Sequence, residues 1–512
     1  MSRDPRKTNA DGTVCGLRVR RLRIDTHHQP VIYMRSDCPI CRSEGFQSHT
    51  RVQVHLGGNS IIAALDIVHG DLVGVDEVGL SEIAWKKLQA EEGAIATFAH
   101  PDPLESMSHV RAKIYGRRLG EAELEAVISD VVAGRYADVH LAAFIAACGG
   151  DRLSLPEIAA LTRAMVRAGE RLSWGNGMIV DKHCIGGIPG NRTTPIVVPI
   201  IAALGLVMPK TSSRAITSPA GTADTMEMLA PVDLPPDAMR RAVERTGGCI
   251  VWGGAVQLSP ADDTLIRIER QLDIDSEGQL VASVLSKKAA AGSTHVLVDL
   301  PVGTTAKVRS AKSAAILSKL FATVGEAIGL SVRCVTTDGS QPVGRGIGPA
   351  LEARDVLDVL QGKSGAPADL RDRALMLAGL ILEQSGRIPP GQGPGIAQAV
   401  LDDGRAWAKF QAICEAQGGM REPPVARHRM DVASERSGRV LAIDNRRLAL
   451  TAKLAGAPED KAAGIDLHAR TGMPVDSGQP LFTLHAESTG TLEYALDFFR
   501  SHRDIIRIGD EA

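Results

Sequence analysis

The pattern of apolar and polar residues changes along the chain and divides it into stretches of different structure. Over 16–91, short runs with alternating or β-branched apolar residues lie between turn residues, which predicts β-strands. From about Pro103 onward, apolar residues recur every three or four positions, as is typical of helices. One such helical set is Leu124, Val127, Ile128 and Val131. Ser154 and Glu157 then form a capping-box signature, which predicts that a helix begins there.

After Leu172, short apolar runs alternate with helical patterns. The run 295–303 predicts a buried strand, 310–329 a helix, and 331–340 a second strand with its turn. Strands that alternate with helices favour a largely parallel sheet covered by helices. The Pro-containing segment 421–425 is predicted to be a linker, because strand-like runs with Gly and Pro turns begin again after it.

Together these patterns predict an α/β fold with α+β parts. The expected domains are a β-rich N-terminal domain over 1–95, a helical domain over 100–172 with part of 255–290, a central α/β domain with a mainly parallel sheet over 173–420, and a C-terminal α+β domain over 425–512. Several domains also fit the length of 512 residues, since one domain usually has about 100–200 residues.

Composition narrows the class of protein. Hydrophobic residues make up 44% and charged residues 23%, which is typical of a soluble globular protein. The formal net charge is −2, so no overall basic field attracts nucleic acid or an anionic membrane. The longest apolar run, 195–209, is too short for a membrane span, and the N-terminus lacks the apolar stretch of a signal peptide. Eight cysteines, mostly far apart, favour the reducing cytoplasm.

Three polar segments interrupt the apolar pattern and carry the candidate chemistry. The first, 180–196, combines Lys182 and His183 with several glycines and with Thr193 and Thr194, and it leads into an apolar helix. Glycines let backbone N–H groups approach an anion closely, and a helix N-terminus adds a favourable dipole. The alternative is an ordinary loop between a strand and a helix.

The second segment, 211–228, places serine and threonine hydroxyls around Arg214, which suits a phosphate or a phosphorylated sugar. The alternative is that these side chains only cap helices and form turns. Two such segments close together favour an anion site.

The third segment, 261–288, is rich in carboxylates and ends in basic residues. Asp273, Asp275 and Glu277 are expected near a turn at Gly278, where a carboxylic acid can donate a proton. Further on, Lys307 is expected at the mouth of the sheet, where ligands bind in open α/β folds.

Other nucleotide motifs are incomplete. Leu357 occupies the place of the first glycine of a P-loop, and Pro349 occupies the place of a glycine in a dinucleotide fingerprint. The sequence also contains no H-E-x-x-H and no G-x-S-x-G. These observations argue against an ATPase, a Rossmann dehydrogenase, a zinc protease and an α/β-hydrolase.

The polar segments resemble the motifs of a known family. Residues 181–187 (DKHCIGG), 212–217 (SSRAIT) and 220–227 (AGTADTME) are similar to the D-K-H-S-T-G-G and S-G-R-G…G-G-T-x-D-x-x-E motifs of the thymidine phosphorylase family of pyrimidine-nucleoside phosphorylases. The closer resemblance is to its long branch, which includes archaeal AMP phosphorylase and bacterial proteins considered thymidine phosphorylases. The resemblance covers most of the chain from about Pro103 onward.

The resemblance implies roles for individual residues. Asp275 matches the proton donor of the AMP phosphorylase branch and is the implied catalytic residue. The implied substrate and phosphate contacts are Gly187, the phosphate-cradling run of Ser213, Arg214, Ala215, Ile216, Thr217 and Ser218, then Thr222, Ser283 and Lys307, and, from the thymidine enzymes, Lys182, His183 and Lys287.

The sequence departs from the short thymidine enzymes at three places. Cys184 stands where they have a serine that helps hold phosphate, and Thr194 is the expected replacement for their second serine. Arg270 is the nearest candidate for the arginine that holds their pyrimidine. These departures argue against thymidine as the substrate.

The resemblance therefore implies phosphorolysis of the N-glycosidic bond of an AMP-like nucleoside 5′-monophosphate or of a nucleoside. Arg192 and Arg214 are the candidates for holding a 5′-phosphate. The alternative is a thymidine phosphorylase, and a second alternative is a non-catalytic nucleotide-binding sensor. No cofactor and no metal are expected. Inorganic phosphate is a co-substrate in this reaction. The expected partners are the small substrates and further copies of this chain, in a homodimer or higher homo-oligomer, with no nucleic acid and no membrane.

Overall fold

The structure is a computed structural model that describes residues 16–27, 29–215, 218–274 and 276–509. These residues form two compact units. The first contains the described residues up to Tyr115 together with Ser129–Phe144, and the second contains Gly116–Ile128 together with the described residues from Ile145 onward. The predicted domain limits, which divide the chain more finely, stay a prediction.

The strands of the first unit close into a barrel. They are β1 Leu17–Arg21, β2 Val31–Arg35, β3 Arg51–Leu56, β4 Asn59–Val68, β5 Glu77–Leu80 and β6 Ile95–Ala99, in the order β1-β5-β2-β4-β3-β6 around the barrel. The helices of this part are α1 Pro39–Glu44, α2 Glu82–Leu88 and α3 Met107–Ile114. In β3, Val52, Val54 and Leu56 are buried and the residues between them are less so, since strand side chains alternate between two faces. The barrel confirms the predicted β-rich N-terminal part.

The chain then continues through helices into a region where strands and helices alternate. In chain order the elements are α4 Glu121–Val132, α5 Asp138–Cys148, a 3₁₀ turn Gly150–Arg152, α6 Leu155–Arg167, β7 Val180–Cys184, α7 Thr194–Ala203, β8 Met208–Ser212, α8 Thr222–Glu227, α9 Pro236–Thr246, β9 Gly248–Trp252, a 3₁₀ turn Gly253–Val256, α10 Pro260–Leu272, α11 Glu277–Ala290, β10 His295–Val302, α12 Ala311–Ala327, β11 Ser331–Asp338, β12 Gly346–Ile347, α13 Pro349–Leu360, α14 Ala368–Gln384, α15 Gly393–Asp402 and α16 Arg405–Ala416. Helix α6 begins where the capping box predicts, because the Glu157 carboxylate accepts a hydrogen bond from the Ser154 N–H at 2.9 Å. None of the helices in the four described stretches is long and apolar enough to cross a membrane.

The central sheet is parallel. Strand β10 pairs in parallel with β7 on one side and β11 on the other, and β8 pairs in parallel with β9. A parallel bridge between Ile179 and Val207 joins β7 to β8, so the strand order is β9-β8-β7-β10-β11. The mainly parallel sheet predicted from the sequence is confirmed. All five strands therefore end at the same edge, where open α/β folds bind ligands.

The core of this region surrounds α7. Every residue of this helix from Thr194 to Ala202 is buried, and its apolar side chains belong to one cluster with residues of the neighbouring strands and of α13 to α16. Because α7 is buried on every side, all of its faces are apolar, which accounts for most of the apolar run 195–209.

The last part of the chain is antiparallel. Its elements are β13 His428–Ala433, β14 Gly438–Ile443, α17 Asn445–Leu454, β15 Gly464–Leu467, β16 Pro474–Val475, β17 Pro480–Ala486, α18 Thr489–Ser501 and β18 Ile506–Gly509. The strands form two sheets, β12-β15-β17-β13 and β16-β14-β18. The predicted α+β character of the C-terminal part is confirmed.

The expected turn at Gly278 is wrong. Helix α10 ends at Leu272, Asp273 has a φ of 50°, and α11 begins at Glu277, so Gly278 lies inside a helix. A Cβ atom at Gly278 would lie only 3.2 Å from side-chain atoms of Ile158 and Leu153. The glycine is therefore needed for close packing between α11 and α6, not for a turn.

Candidate active site

The polar segments lie where the parallel strands end. Lys182 and His183 belong to the end of β7, Ser212 is the last residue of β8, and the segment 303–307 follows β10. The parallel bridge between Ile179 and Val207, just before the two strands begin, makes β7 and β8 run side by side toward the same edge. One edge of the sheet thus gathers side chains from segments far apart in the sequence.

Lys182 is a buried cation at this edge. Its side chain is 1% exposed, and its ammonium group donates a hydrogen bond to the hydroxyl of Thr193. Burial lowers the pKa of Lys182, and the Asp299 carboxylate partly opposes this shift. An anion bound beside Nζ would stabilise the ammonium form further. An oxyanion is therefore the class of ligand that fits this position.

A buried network lies beside Lys182. The Asn191 amide donates to Cys184 Sγ at 3.2 Å and to Asp299 Oδ2 at 3.4 Å, and the Thr337 hydroxyl donates to Asp299 Oδ1 at 2.6 Å. Burial raises the pKa of Cys184 to about 12, so this group is a neutral thiol at pH 7. A thiol is a weaker hydrogen-bond donor than the serine hydroxyl of the thymidine enzymes.

The loop between β8 and α8 is folded around Asp224. Its Oδ2 accepts from the N–H groups of Ala215 at 2.6 Å and Gly221 at 2.9 Å, and its Oδ1 accepts from the Arg214 guanidinium at 3.2 Å. Gly221 packs directly on the opposite side of the loop, since a Cβ atom there would lie 2.5 Å from the Arg214 carbonyl carbon. Residues 213–215 therefore lie against Gly221, directly ahead of Thr222.

Arg192 connects this loop to the one that follows β7. Its guanidinium pairs with Glu352, whose side chain is 1% exposed, and donates to the Thr222 hydroxyl at 3.1 Å and the Ala220 carbonyl at 3.0 Å. The position of Thr222, which the sequence predicts as a phosphate contact, is thus set by a buried ion pair.

Arg214 is held by carboxylates as well. It makes two hydrogen bonds of 2.8 Å to Glu227, and its guanidinium lies 5.0 Å from the centre of the Trp252 ring. Two parallel hydrogen bonds of this kind fix both the position and the orientation of a guanidinium. Its charge is compensated within the protein.

Two hydroxyl groups of the polar segments, those of Thr193 and Ser212, lie at this edge although the resemblance assigns no role to them. Thr193, and not Thr194, contacts Lys182. Ser212 is 8% exposed and its hydroxyl has no hydrogen-bond partner in the described part of the chain, whereas Ser213 is exposed. Ser212 and Ser213 are adjacent at the end of β8, so the sequence by itself does not separate them.

Helix α11 carries the residues predicted to contact the base. Ser283 and Lys287 lie one turn apart on it, both half-buried, and Lys287 pairs with Asp262 of α10. The next residue, Lys288, donates to Asp181 Oδ2 at 2.7 Å. This buried ion pair attaches α11 to the second residue of β7.

His183 is neutral at this position. Burial holds the pKa of His183 well below its usual range, and the neighbouring positive charges add to this effect. Those charges belong to Lys288, Lys210, Lys287 and Lys182. A neutral imidazole has one donor and one acceptor nitrogen, so it can orient a polar ligand by hydrogen bonds. In this form it does not act as an acid near pH 7.

Lys307 lies against Gly187. The glycine has a φ of 87°, and a Cβ atom there would lie 2.2 Å from the Lys307 backbone nitrogen. The structure therefore brings these two predicted contacts together and requires a glycine at the first of them.

Of the remaining residues predicted from the sequence, two are described by the structure and three are not. Ser218 donates to the Ala220 carbonyl at 2.8 Å, and Arg270 is exposed near the end of α10. Asp275, Ile216 and Thr217 lie outside the described residues, and their roles stay predictions.

Three family descriptions match successive parts of the chain. They are a helical bundle domain of a glycosyl transferase family over 108–169, the a/b domain of that glycosyl transferase family over 176–407, and a pyrimidine nucleoside phosphorylase C-terminal domain over 439–505. Their order follows the helical, α/β and α+β parts of the structure.

Relatives are similar over nearly the full length. A protein of Polaromonas sp. (strain JS666) named "Putative thymidine phosphorylase" is 63% identical over 97% of this chain and 97% of its own. "Putative thymidine phosphorylase 2" of Acidovorax sp. (strain JS42) is 64% identical over 96% of each chain. A "Putative thymidine phosphorylase" of Legionella pneumophila (strain Paris) is 58% identical over 97% of this chain and 96% of its own.

A solved structure shares the fold. The anthranilate phosphoribosyltransferase of Thermus thermophilus superposes with a TM-score of 0.50 at 22% identity, and the match covers 60% of this chain and 98% of that one.

Proposed function

This chain belongs to the thymidine and pyrimidine-nucleoside phosphorylase family of pentosyltransferases, and we propose that it splits thymidine with inorganic phosphate into thymine and 2-deoxyribose 1-phosphate. The names of the relatives support this alternative better than the AMP-like reaction that the sequence motifs first favoured.

The observation that carries the proposal is the pairing of the two candidate arginines. Within the described residues, Arg192 is bound by Glu352, and Arg214 is bound by Glu227 and Asp224. A 5′-phosphate would have to displace these carboxylates or lie beside them without a cation of its own. A nucleoside without a 5′-phosphate makes no such demand, which favours thymidine over a monophosphate.

Phosphate is held, in this proposal, by Lys182 and the hydroxyls of Ser212 and Thr222. A phosphate oxygen forms a bond to the anomeric carbon of the sugar while the bond from that carbon to the base nitrogen breaks, and the bonding electron pair leaves with the base. The sugar becomes oxocarbenium-like on the way, as in glycoside cleavage. Holding the phosphate beside the anomeric carbon removes much of the entropic cost of this step.

The departing base takes up negative charge, and in this proposal Lys287 of α11, whose ammonium group pairs with Asp262, stabilises that charge. His183, being neutral, donates a hydrogen bond and does not release a proton to the base. Protonation of the base by Asp275, which the resemblance implies for the AMP phosphorylase branch, belongs to the AMP-like alternative. The cytoplasmic location and the assembly into a homo-oligomer stay predictions.

The proposal is tested by measuring free base after incubation with thymidine, uridine, AMP, CMP and UMP, each with and without inorganic phosphate. We expect phosphate-dependent release of thymine and no release from the three monophosphates. Release from the monophosphates but not from thymidine would assign the chain to the AMP-like reaction. Absence of phosphate-dependent release from every compound would favour the non-catalytic nucleotide-binding sensor.

Ser212→Ala is expected to raise the KM for phosphate about tenfold, because it removes one hydrogen bond to a charged ligand. The melting temperature should not fall, since the hydroxyl has no partner in the described part of the chain. Steady-state kinetics at varied phosphate and a thermal melt measure both effects.

Ser213→Ala is the control variant. Its KM for phosphate should rise less than that of Ser212→Ala, because the Ser213 side chain is exposed. A larger loss of phosphate affinity in Ser213→Ala than in Ser212→Ala would restore the assignment made from the sequence.

A further inference from the structure

The antiparallel C-terminal part touches the loops at the edge of the central sheet through Asn445. This residue begins α17 and is 0% exposed. The preceding residue, Asp444, caps the helix by accepting from the N–H groups of Arg446 at 3.0 Å and Arg447 at 3.1 Å. The cap fixes the backbone at the helix start, and with it the direction in which Asn445 leaves the helix.

Asn445 binds two loops at once. Its amide Nδ2 donates to the Gly339 carbonyl at 2.9 Å and to the Thr305 hydroxyl oxygen at 3.0 Å, and its backbone N–H approaches the same hydroxyl oxygen at 3.3 Å. Gly339 follows β11 and Thr305 follows β10, so one side chain spans the ends of two neighbouring strands.

These two loops pack directly on each other. A Cβ atom at Gly303 would lie 2.2 Å from the Gly339 carbonyl oxygen. The loop after β10 is a tight turn, because the Gly303 N–H donates to the Val308 carbonyl and the Ala306 N–H donates to the Gly303 carbonyl, both at 3.0 Å. Moving Thr305 therefore moves the whole turn.

The same turn carries Lys307, two residues after Thr305. The Lys307 backbone nitrogen lies against Gly187, which leaves no room for a side chain between them. A continuous line of contacts thus runs from Asn445 through Thr305 to Lys307 and Gly187, the two residues predicted to contact the nucleoside.

We propose that Asn445 is a positioning residue for the nucleoside, acting through Thr305 to hold Lys307 against Gly187. The identity of the substrate in this inference rests on the proposed function, whereas the contacts come from the structure. It assigns the C-terminal part a role in binding substrate in addition to any role in stability.

The first test compares Asn445→Ala and Thr305→Val with the double variant. Each single change is expected to raise the KM for the nucleoside about tenfold, which corresponds to about 1.4 kcal/mol and lies within the range for a lost hydrogen bond. The KM for phosphate should change less than about twofold, because Lys182 is not moved. The double variant should be no worse than Asn445→Ala alone, since that change already removes the side-chain contact with Thr305.

Ser488→Ala is the matched control. Ser488 caps α18 in the same part of the chain, accepting from the Thr491 N–H at 3.2 Å. Its loss should lower the melting temperature without altering either KM. An unchanged nucleoside KM in both folded single variants, or additive effects in the double variant, would overturn the positioning role.

Hydrogen–deuterium exchange gives a readout that needs no substrate. Exchange of the amides in 303–308 should accelerate in Asn445→Ala and stay unchanged in Ser488→Ala. If wild-type protein acts on a substrate other than thymidine, the same variants are assayed with that substrate, so the proposed function can fail while this inference stands. Equal exchange in wild type and Asn445→Ala would overturn the inference whatever the substrate is.

Discussion

Lys182→Met is expected to lower kcat/KM for phosphate about 10³-fold, the upper end of the range for the loss of one oxyanion donor. Methionine has a similar length but no charge, so the phosphate loses the cation that faces it from the sheet edge. The melting temperature should stay the same or rise, because an apolar side chain replaces a fully buried ammonium group. Steady-state kinetics at varied phosphate and a thermal melt separate the two effects.

Lys312→Met is the matched control, since Lys312 is exposed on α12. It should leave kcat/KM and the melting temperature unchanged. A loss of less than about tenfold in folded Lys182→Met would place the phosphate elsewhere than beside Nζ.

Gly221→Ala is expected to lower kcat/KM about 10²-fold, since displacement of catalytic groups by about 1 Å has effects of this size. The backbone at Gly221 has a φ of −96°, which every residue adopts, so only the lack of space opposes a side chain. The new Cβ atom would lie 2.5–2.6 Å from backbone atoms of Ser213, Arg214 and Ala215 and would push the loop open. Kinetics with phosphate and nucleoside varied in turn measure the loss.

Gly365→Ala provides the same substitution at a site with open space. It should have no effect on kcat/KM, and any change in stability there should be small. Wild-type kinetics in Gly221→Ala would mean that the loop after β8 does not carry the phosphate contacts.

The fold followed from local patterns in the sequence. The capping box at Ser154 and Glu157, the strand 295–303 and the helix 310–329 are each recognisable from their own residues, and each appears in the structure close to the predicted place. The prediction of a turn at Gly278 was wrong because the role of this glycine depends on contacts that are not local. This glycine is explained by its neighbours Ile158 and Leu153, which are more than a hundred residues earlier in the chain.

The candidate site was predictable as a region but not in every residue. The Gly-rich segments identified the edge of the sheet, and Lys182 and Thr222 are held there by hydrogen bonds to Thr193 and Arg192. The choice between Ser212 and Ser213 was not accessible, because adjacent strand residues point to opposite faces and only the structure shows that Ser212 is buried while Ser213 is exposed.

By itself, the sequence determined where strands and helices alternate, which segments bring backbone amides and hydroxyls together, and which family these segments resemble. Tertiary structure alone decided that Arg192 is already paired with Glu352, and that Asn445 reaches the loops after β10 and β11. The physical reason is distance along the chain: Arg192 and Glu352 are 160 residues apart and Asn445 and Thr305 are 140 apart. Helix and strand periods are local, whereas the partner of a charge or an amide is chosen by packing.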